Sequence, residues 1–182
     1  ASSQYTETFS CYIPNIDNIG YIAFGLDANT EIDERIQYSP LVIYHGGQLL
    51  YGLNITGIAI DGDILLGLDF NEINHRGFII DSGCVATRLP PTIYARIQSV
   101  YRQRMSNYLP APTHTPFDTC YDHSGFQYPI LEMSFVFSGV MMDLPRIGTF
   151  YEVNLKRYCL AFIPNTYDSE MSIFGNIQQK NP

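Results

Sequence analysis

The sequence predicts a mostly β domain. Three observations carry that expectation: strand-favouring side chains are abundant, short apolar runs recur between turn signals, and one segment alone has clear helical periodicity. Aromatics make up 14% of the 182 residues, with 14 Tyr, 11 Phe and no Trp. With the β-branched residues they suit a pleated, half-buried surface. The apolar fraction is 46% and the charged fraction 15%, a globular composition long enough to bury one core.

The elements follow in order. Tyr21–Phe24 is a short strand pattern ending at Gly25. Residues 53–60 alternate and run into Asp61-Gly62, a hairpin signal because both residues tolerate positive φ. Ile64-Leu65-Leu66 would be the returning strand. Gly77-Phe78-Ile79-Ile80 reads as a buried strand that stops at Asp81-Ser82-Gly83. Pro90-Pro91-Thr92 opens the helix: Ile93, Ile97, Val100, Tyr101 and Met105 recur at helical spacing, with Arg96, Arg102 and Arg104 off the stripe. Its end is expected near Asn107. Residues 110–116 are rich in Pro and Thr and read as a loop. Leu131, Met133, Phe135 and Phe137 fall on one strand face, and Ser138-Gly139 turns the chain into residues 140–144. Strand patterns over residues 158–163 and 172–177 complete the set. The aromatics are expected in the core, although Tyr94 and Phe117 could line a cleft.

Charge and cysteine usage exclude several functions. The net charge is −8 and lysine occurs only at Lys156 and Lys180, so no nucleic-acid partner is expected. No apolar run approaches the roughly 20 residues needed to span a bilayer, so no membrane span is expected. The chain starts at Ala1 without a leader pattern, which suggests a mature form or a fragment. Cys11, Cys84, Cys120 and Cys159 form no CxxC pair, and His45, His75, His114 and His123 are scattered. No metal site is expected. One or two disulfides in an oxidising compartment is the simpler reading. Asn54-Ile55-Thr56 is an N-glycosylation sequon and points the same way, or is a chance tripeptide. The acidic residues from Asp27 to Glu34 read as a solvated loop.

The chemical centre is Asp81-Ser82-Gly83. An apolar strand that ends in Asp, a small hydroxyl residue and Gly presents a carboxylate on a tight loop. Glycine lets backbone N–H groups come close to it, and such donors favour a charged carboxylate. The bland alternative is an Asp that caps a β-turn.

Around this centre the blocks GFIIDSGCVATRLPPTIYARI, FDTCYDHSG, SFVFSG, YCLAF and SIFGNIQQK occur in order, with FSCYIP and GYIAFG upstream. Together they resemble the C-terminal lobe of pepsin-type aspartic proteases, in the plant nepenthesin-like branch, over residues 9–180. The resemblance implies a mostly β, pepsin-like lobe with one or two short helices. Residues 1–36 would be the end of an N-terminal lobe and the interlobe crossover, and residues 37–182 the C-terminal lobe, with one further strand beyond Pro182.

The resemblance also implies roles. Asp81 would be the catalytic carboxylate. Ser82 would join a hydrogen-bonded grip between two active-site loops, and Gly83 would set the turn geometry. Ile173, Phe174 and Gly175 would be the supporting segment beside the loop. Cys120 and Cys159 would form the lobe's disulfide. The family usually carries a hydroxyl residue where this chain has Cys84, and a thiol is a weaker, longer donor. Cys84 itself could be a buried thiol, a free thiol or a partner of Cys11.

The implied reaction is peptide-bond hydrolysis by an Asp-activated water, with no cofactor. Its partners would be a polypeptide substrate and the N-terminal lobe that supplies the second carboxylate. Location would be extracellular or vacuolar. The alternatives are an inactive, xylanase-inhibitor-like binding module, a truncated product without independent activity, and a homodimer whose two Asp81 residues meet.

Overall fold

The computed structural model describes residues 9–14, 19–25, 37–44, 50–122, 131–154 and 156–180. The acidic stretch 27–34, the expected boundary at 36/37, His45 and His123 lie outside them.

A hairpin opens the chain, β1 (Phe9–Tyr12) antiparallel to β2 (Tyr21–Phe24), with Cys11 opposite Ile22. A stub, β3 (Tyr51–Gly52), precedes the second hairpin, β4 (Ile55–Ile60) and β5 (Asp63–Ile64). Its turn is the predicted one: Asp61 has φ 52° and Gly62 φ 83°, the left-handed pair that matches strand twist. The returning strand is shorter than expected, leaving the ladder after Ile64.

Helix α1 (Phe70–Arg76) was not anticipated. Asp69 caps it, accepting from the N–H groups of Asn71 and Glu72 at 3.1 and 3.2 Å. Then follow β6 (Phe78–Ile80), β7 (Thr87–Leu89) and the expected helix α2 (Pro91–Arg104). The α2 stripe is buried at Ile93, Ile97 and Tyr101. Its first turn is capped from outside, where Asp168 accepts from the Thr92 N–H and hydroxyl at 3.1 and 3.0 Å.

β8 (Leu109–Ala111) contains Pro110, expected in a loop. It is an edge strand, where a missing N–H is tolerated. β9 (Cys120–Asp122), β10 (Met133–Phe137) and β11 (Val140–Asp143) come next. Short helix α3 (Arg146–Thr149), β12 (Phe150–Asn154), β13 (Arg157–Leu160), β14 (Phe162–Pro164), β15 (Ser172–Phe174) and one-turn helix α4 (Asn176–Gln179) complete the described chain.

The segment 158–163 is thus two strands and not one. It breaks at Ala161, whose N–H donates to the Thr149 carbonyl at 3.0 Å. Likewise the pattern over 172–177 is a strand that ends at Phe174 and passes into α4.

Beside the β1–β2 hairpin the strands form three larger sheets, ordered β11-β10-β4-β5, β12-β13-β9-β8 and β14-β7-β15-β6-β3. On β10, Met133, Phe135 and Phe137 are buried, as their alternation predicts. Phe78, Phe135, Phe137 and Phe174 meet with ring centroids 5.4–6.5 Å apart. This aromatic core lies under β6 and β15, the two strands that lead to the candidate site. Among the described residues no helix is long and apolar enough to cross a membrane.

Candidate active site

β15 lies between β6 and β7. It runs parallel to β6, with Phe174 opposite Ile80, and antiparallel to β7, with Ile173 opposite Arg88. The chain leaves β6 on one side of β15 and re-enters as β7 on the other. Residues 81–86 must therefore straddle the end of β15.

Backbone bonds fix that crossing. The Asp81 N–H donates to the Phe174 carbonyl at 3.1 Å, the Asn176 N–H to the Cys84 carbonyl at 2.7 Å, and the Ile177 N–H to the Val85 carbonyl at 2.9 Å. The Asn176 side-chain amide donates to the Ser82 carbonyl at 3.2 Å. Only glycine fits at 175, because a Cβ there would run into the Ala86 backbone and sit 2.7 Å from the Thr87 nitrogen.

The Asp81 carboxylate is half-buried and held at both oxygens. Its Oδ1 accepts the Gly83 N–H at 2.8 Å, and its Oδ2 accepts the Cys84 thiol at 3.2 Å. Gly83 is favoured here by close approach and not by a left-handed φ: a Cβ would lie 3.1 Å from Asp81 Oδ1, and the carboxylate would have to shift by a few tenths of an ångström. Burial pushes the Cys84 thiol up. The hydrogen bond to Asp81 and the carboxylate charge push it further, while the Arg88 guanidinium opposes them. The proton Cys84 donates is thereby retained. Ser82 is exposed, and Val85 beside Cys84 is 62% exposed, so this loop presents a carboxylate, a hydroxyl residue and an apolar side chain together.

The remaining sequence candidates fall as follows. Ile173 is half-buried, and Phe174 joins the aromatic core. Cys120 and Cys159 are disulfide-bonded across register partners of β9 and β13. Cys84 and Cys11 are both free, so the alternative Cys11–Cys84 bridge is absent. Asn54 is half-buried at the entry to β4, its side-chain amide donating to the Ser138 hydroxyl at 2.9 Å. Tyr94 and Phe117 are core residues, 4% and 2% exposed, and the Tyr94 hydroxyl donates to Asp118. Asn176 was missed by sequence reasoning. Only its position after Gly175, beside the loop, could have suggested a role.

Comparison with known proteins agrees with this architecture. Residues 50–182 match the protein family described as Xylanase inhibitor C-terminal. Aspartyl protease AED1 of Arabidopsis thaliana is 35% identical over 98% of this chain and 38% of its own length. Aspartic proteinase nepenthesin-1 of Nepenthes gracilis is 27% identical over 90% of this chain and 37% of its own. The chain therefore spans under two fifths of the length of these relatives. Among solved structures, conglutin gamma of lupine seeds superposes with TM-score 0.74 over 94% of this chain and 46% of its own, at 16% identity, which bears on the fold alone. A strand order that places β15 between the two arms of an Asp-Ser-Gly loop, and a family match over most of the chain, lead to one assignment: this chain belongs to the Xylanase inhibitor C-terminal family and has the fold of the C-terminal lobe of a pepsin-like aspartic protease.

Proposed function

We propose that this chain supplies Asp81 as one of the two catalytic carboxylates of an aspartic endopeptidase. The observation that carries the reading is the Asp81 carboxylate, held at one oxygen by the Gly83 N–H and at the other by the Cys84 thiol, on a loop pinned across β15. Two such carboxylates about 3 Å apart cannot both ionise, so they share one proton. One then takes a proton from the attacking water while the other donates to the scissile carbonyl. This chain contributes one of them. The second belongs to an N-terminal lobe that would meet the Ser82 face. The substrate is an extended polypeptide with apolar side chains beside the cut. The Cys120–Cys159 disulfide supports an oxidising location, extracellular or vacuolar. Asn54 would carry a glycan there, since a glycosylated amide keeps one N–H for the bond to Ser138.

A second reading is a protein-binding module without proteolytic activity. Cys84 in place of a hydroxyl donor favours it, as does the inhibitor name of the matching family.

The test is cleavage of unfolded casein between pH 2 and 6 by this chain alone and by the chain joined behind the first lobe of AED1. We expect cleavage from the joined protein only, blocked by pepstatin and reduced about 10²–10⁴-fold in Asp81→Asn. Undiminished cleavage by Asp81→Asn would sink the reading. A folded fusion that binds xylanase and cleaves nothing would favour the second one.

A further inference from the structure

Behind the Asp81 loop, on the side away from solvent, lies a polar side chain that the mechanism above does not use. Gln178 is 0% exposed. Its amide is saturated. Oε1 accepts the Thr87 N–H at 2.9 Å and the Thr87 hydroxyl at 2.7 Å, while Nε2 donates to the carbonyls of Gly148 at 2.7 Å and Ala161 at 2.8 Å. Two donors face one end and two acceptors face the other, so the amide has a single orientation.

The Thr87 hydroxyl passes this order on, since it accepts the Gly175 N–H at 3.0 Å. With one bond given and one received, it too has a fixed direction. Thr87 is the first residue of β7, where the loop re-enters the sheet. At the other end, the Asp81 N–H is held by Phe174. The loop is thus pinned at entry by a backbone bond and, beyond the bonds that Asn176 and Ile177 make to Cys84 and Val85, at exit by the Gln178 amide.

The alternative is that Gln178 only satisfies buried backbone groups stranded by chain breaks, which any buried polar group must do. That role accounts for Gly148 and Ala161. It does not account for the second bond to Thr87 or for the relay to Gly175, the residue on which the loop rests.

We propose that Gln178 is a positioning residue: through Thr87 and Gly175 it sets where the Asp81 loop sits and how its carboxylate is aimed. The consequence for activity rests on the proteolytic reading of Asp81. The consequence for loop order does not.

The test uses the 182-residue chain and backbone hydrogen exchange, with global stability measured separately in urea. The reporters are the amides of Asp81 and Asn176, which bond across the loop, and the control is the Phe135 amide in β10. Gln178→Met keeps the volume and removes all four bonds. It should speed exchange at Asp81 and Asn176 by about tenfold or more beyond any change at Phe135. Should Gln178→Met fail to fold, Thr87→Val deletes a single hydroxyl at constant shape and should give the same pattern, with Thr87→Ser returning to wild-type exchange. Equal changes at Asp81, Asn176 and Phe135 in the folded variants would overturn the proposal. In the fusion with a first lobe, Thr87→Val should lower kcat with KM unchanged. Loop loosening without any wild-type proteolysis would leave the positioning role standing and defeat the protease reading. Wild-type proteolysis with an undisturbed loop would do the reverse.

Discussion

Beneath the strand that enters the Asp81 loop lie four phenylalanines, Phe78, Phe135, Phe137 and Phe174. Beneath the end that leaves it, Ala86, Ala161 and Ile177 cluster with Phe117 and the Cys120–Cys159 disulfide. The reason for the difference is geometric. On the exit side, Gly175 and Ala86 bring two backbones into contact, so the side chains at the crossing itself are small, although Ile177 and Phe117 join the same cluster. Small side chains remove little apolar area from water, at roughly 25 cal/mol per Å². The exit side is held instead by a covalent bond, by the backbone bonds of Asn176 and Ile177, and by the four hydrogen bonds of Gln178. A loop that presents reactive groups outward is thus supported by bulk on one flank and by directional bonds on the other.

The largest effect should come from the bulky flank. Phe135 is 0% exposed and touches the rings of Phe78, Phe137, Phe162 and Phe174. Phe135→Ala should cost about 3–5 kcal/mol, through lost transfer energy and the cavity left behind. The urea midpoint would report it. In the folded fraction the Cys84 thiol should alkylate at close to the wild-type rate, because Phe135 belongs to a different core cluster from Ala86 and the disulfide.

The disulfide flank should respond differently. The bridged cysteines are 39 residues apart, a loop whose closure entropy is worth about 4 kcal/mol. Replacing both by Ala should lower stability by up to that amount. It should also speed Cys84 alkylation, since the bridge packs in one cluster with Ala86, two residues from the thiol. If alkylation moved with Phe135→Ala and not with the cysteine pair, the contrast between the two flanks would be wrong.

The contrast also accounts for what could be read beforehand. The bulky flank was legible: Leu131, Met133, Phe135 and Phe137 alternate, and the α2 stripe is periodic. The Asp61-Gly62 turn needed no tertiary information either. The tight turn at Asp81-Ser82-Gly83 was legible from local chemistry, but it was the resemblance of the ordered blocks around it that marked the turn as a candidate site. Its support was not legible. Gln178 and Gln179 are neighbours of one type, yet Gln178 is buried and bonded fourfold while Gln179 is half-buried. Nothing local separates them. The break at Ala161 hides for a related reason. Leu160, Ala161 and Phe162 are all fully buried, so no alternation marks the point where the chain changes sheets. Helix α1 did carry a signal, the capping-box spacing of Asp69 and Glu72. With Ile73 its one fully buried side chain, no apolar stripe confirmed it.

The smallest effect concerns the two outward groups themselves. The Cys84 thiol is pushed up first by burial, then by its bond to Asp81 and by the carboxylate charge, with Arg88 opposing. Asp81→Asn removes the charge and replaces a strong acceptor, leaving burial and Arg88 in place. The thiol then ionises at lower pH. The thiolate is the nucleophile, so alkylation of Cys84 at about pH 8 should quicken by a few-fold. Arg88→Gln should slow it, because the cation that favours the thiolate is gone. Mass spectrometry of the peptide carrying Cys84 separates it from Cys11, which is exposed and also free. Opposite responses to the two substitutions require both charges to act on the thiol from the positions described. Should Asp81→Asn leave the rate unchanged, burial and Arg88 govern Cys84, and the bond that ties the thiol to the carboxylate does not form in solution.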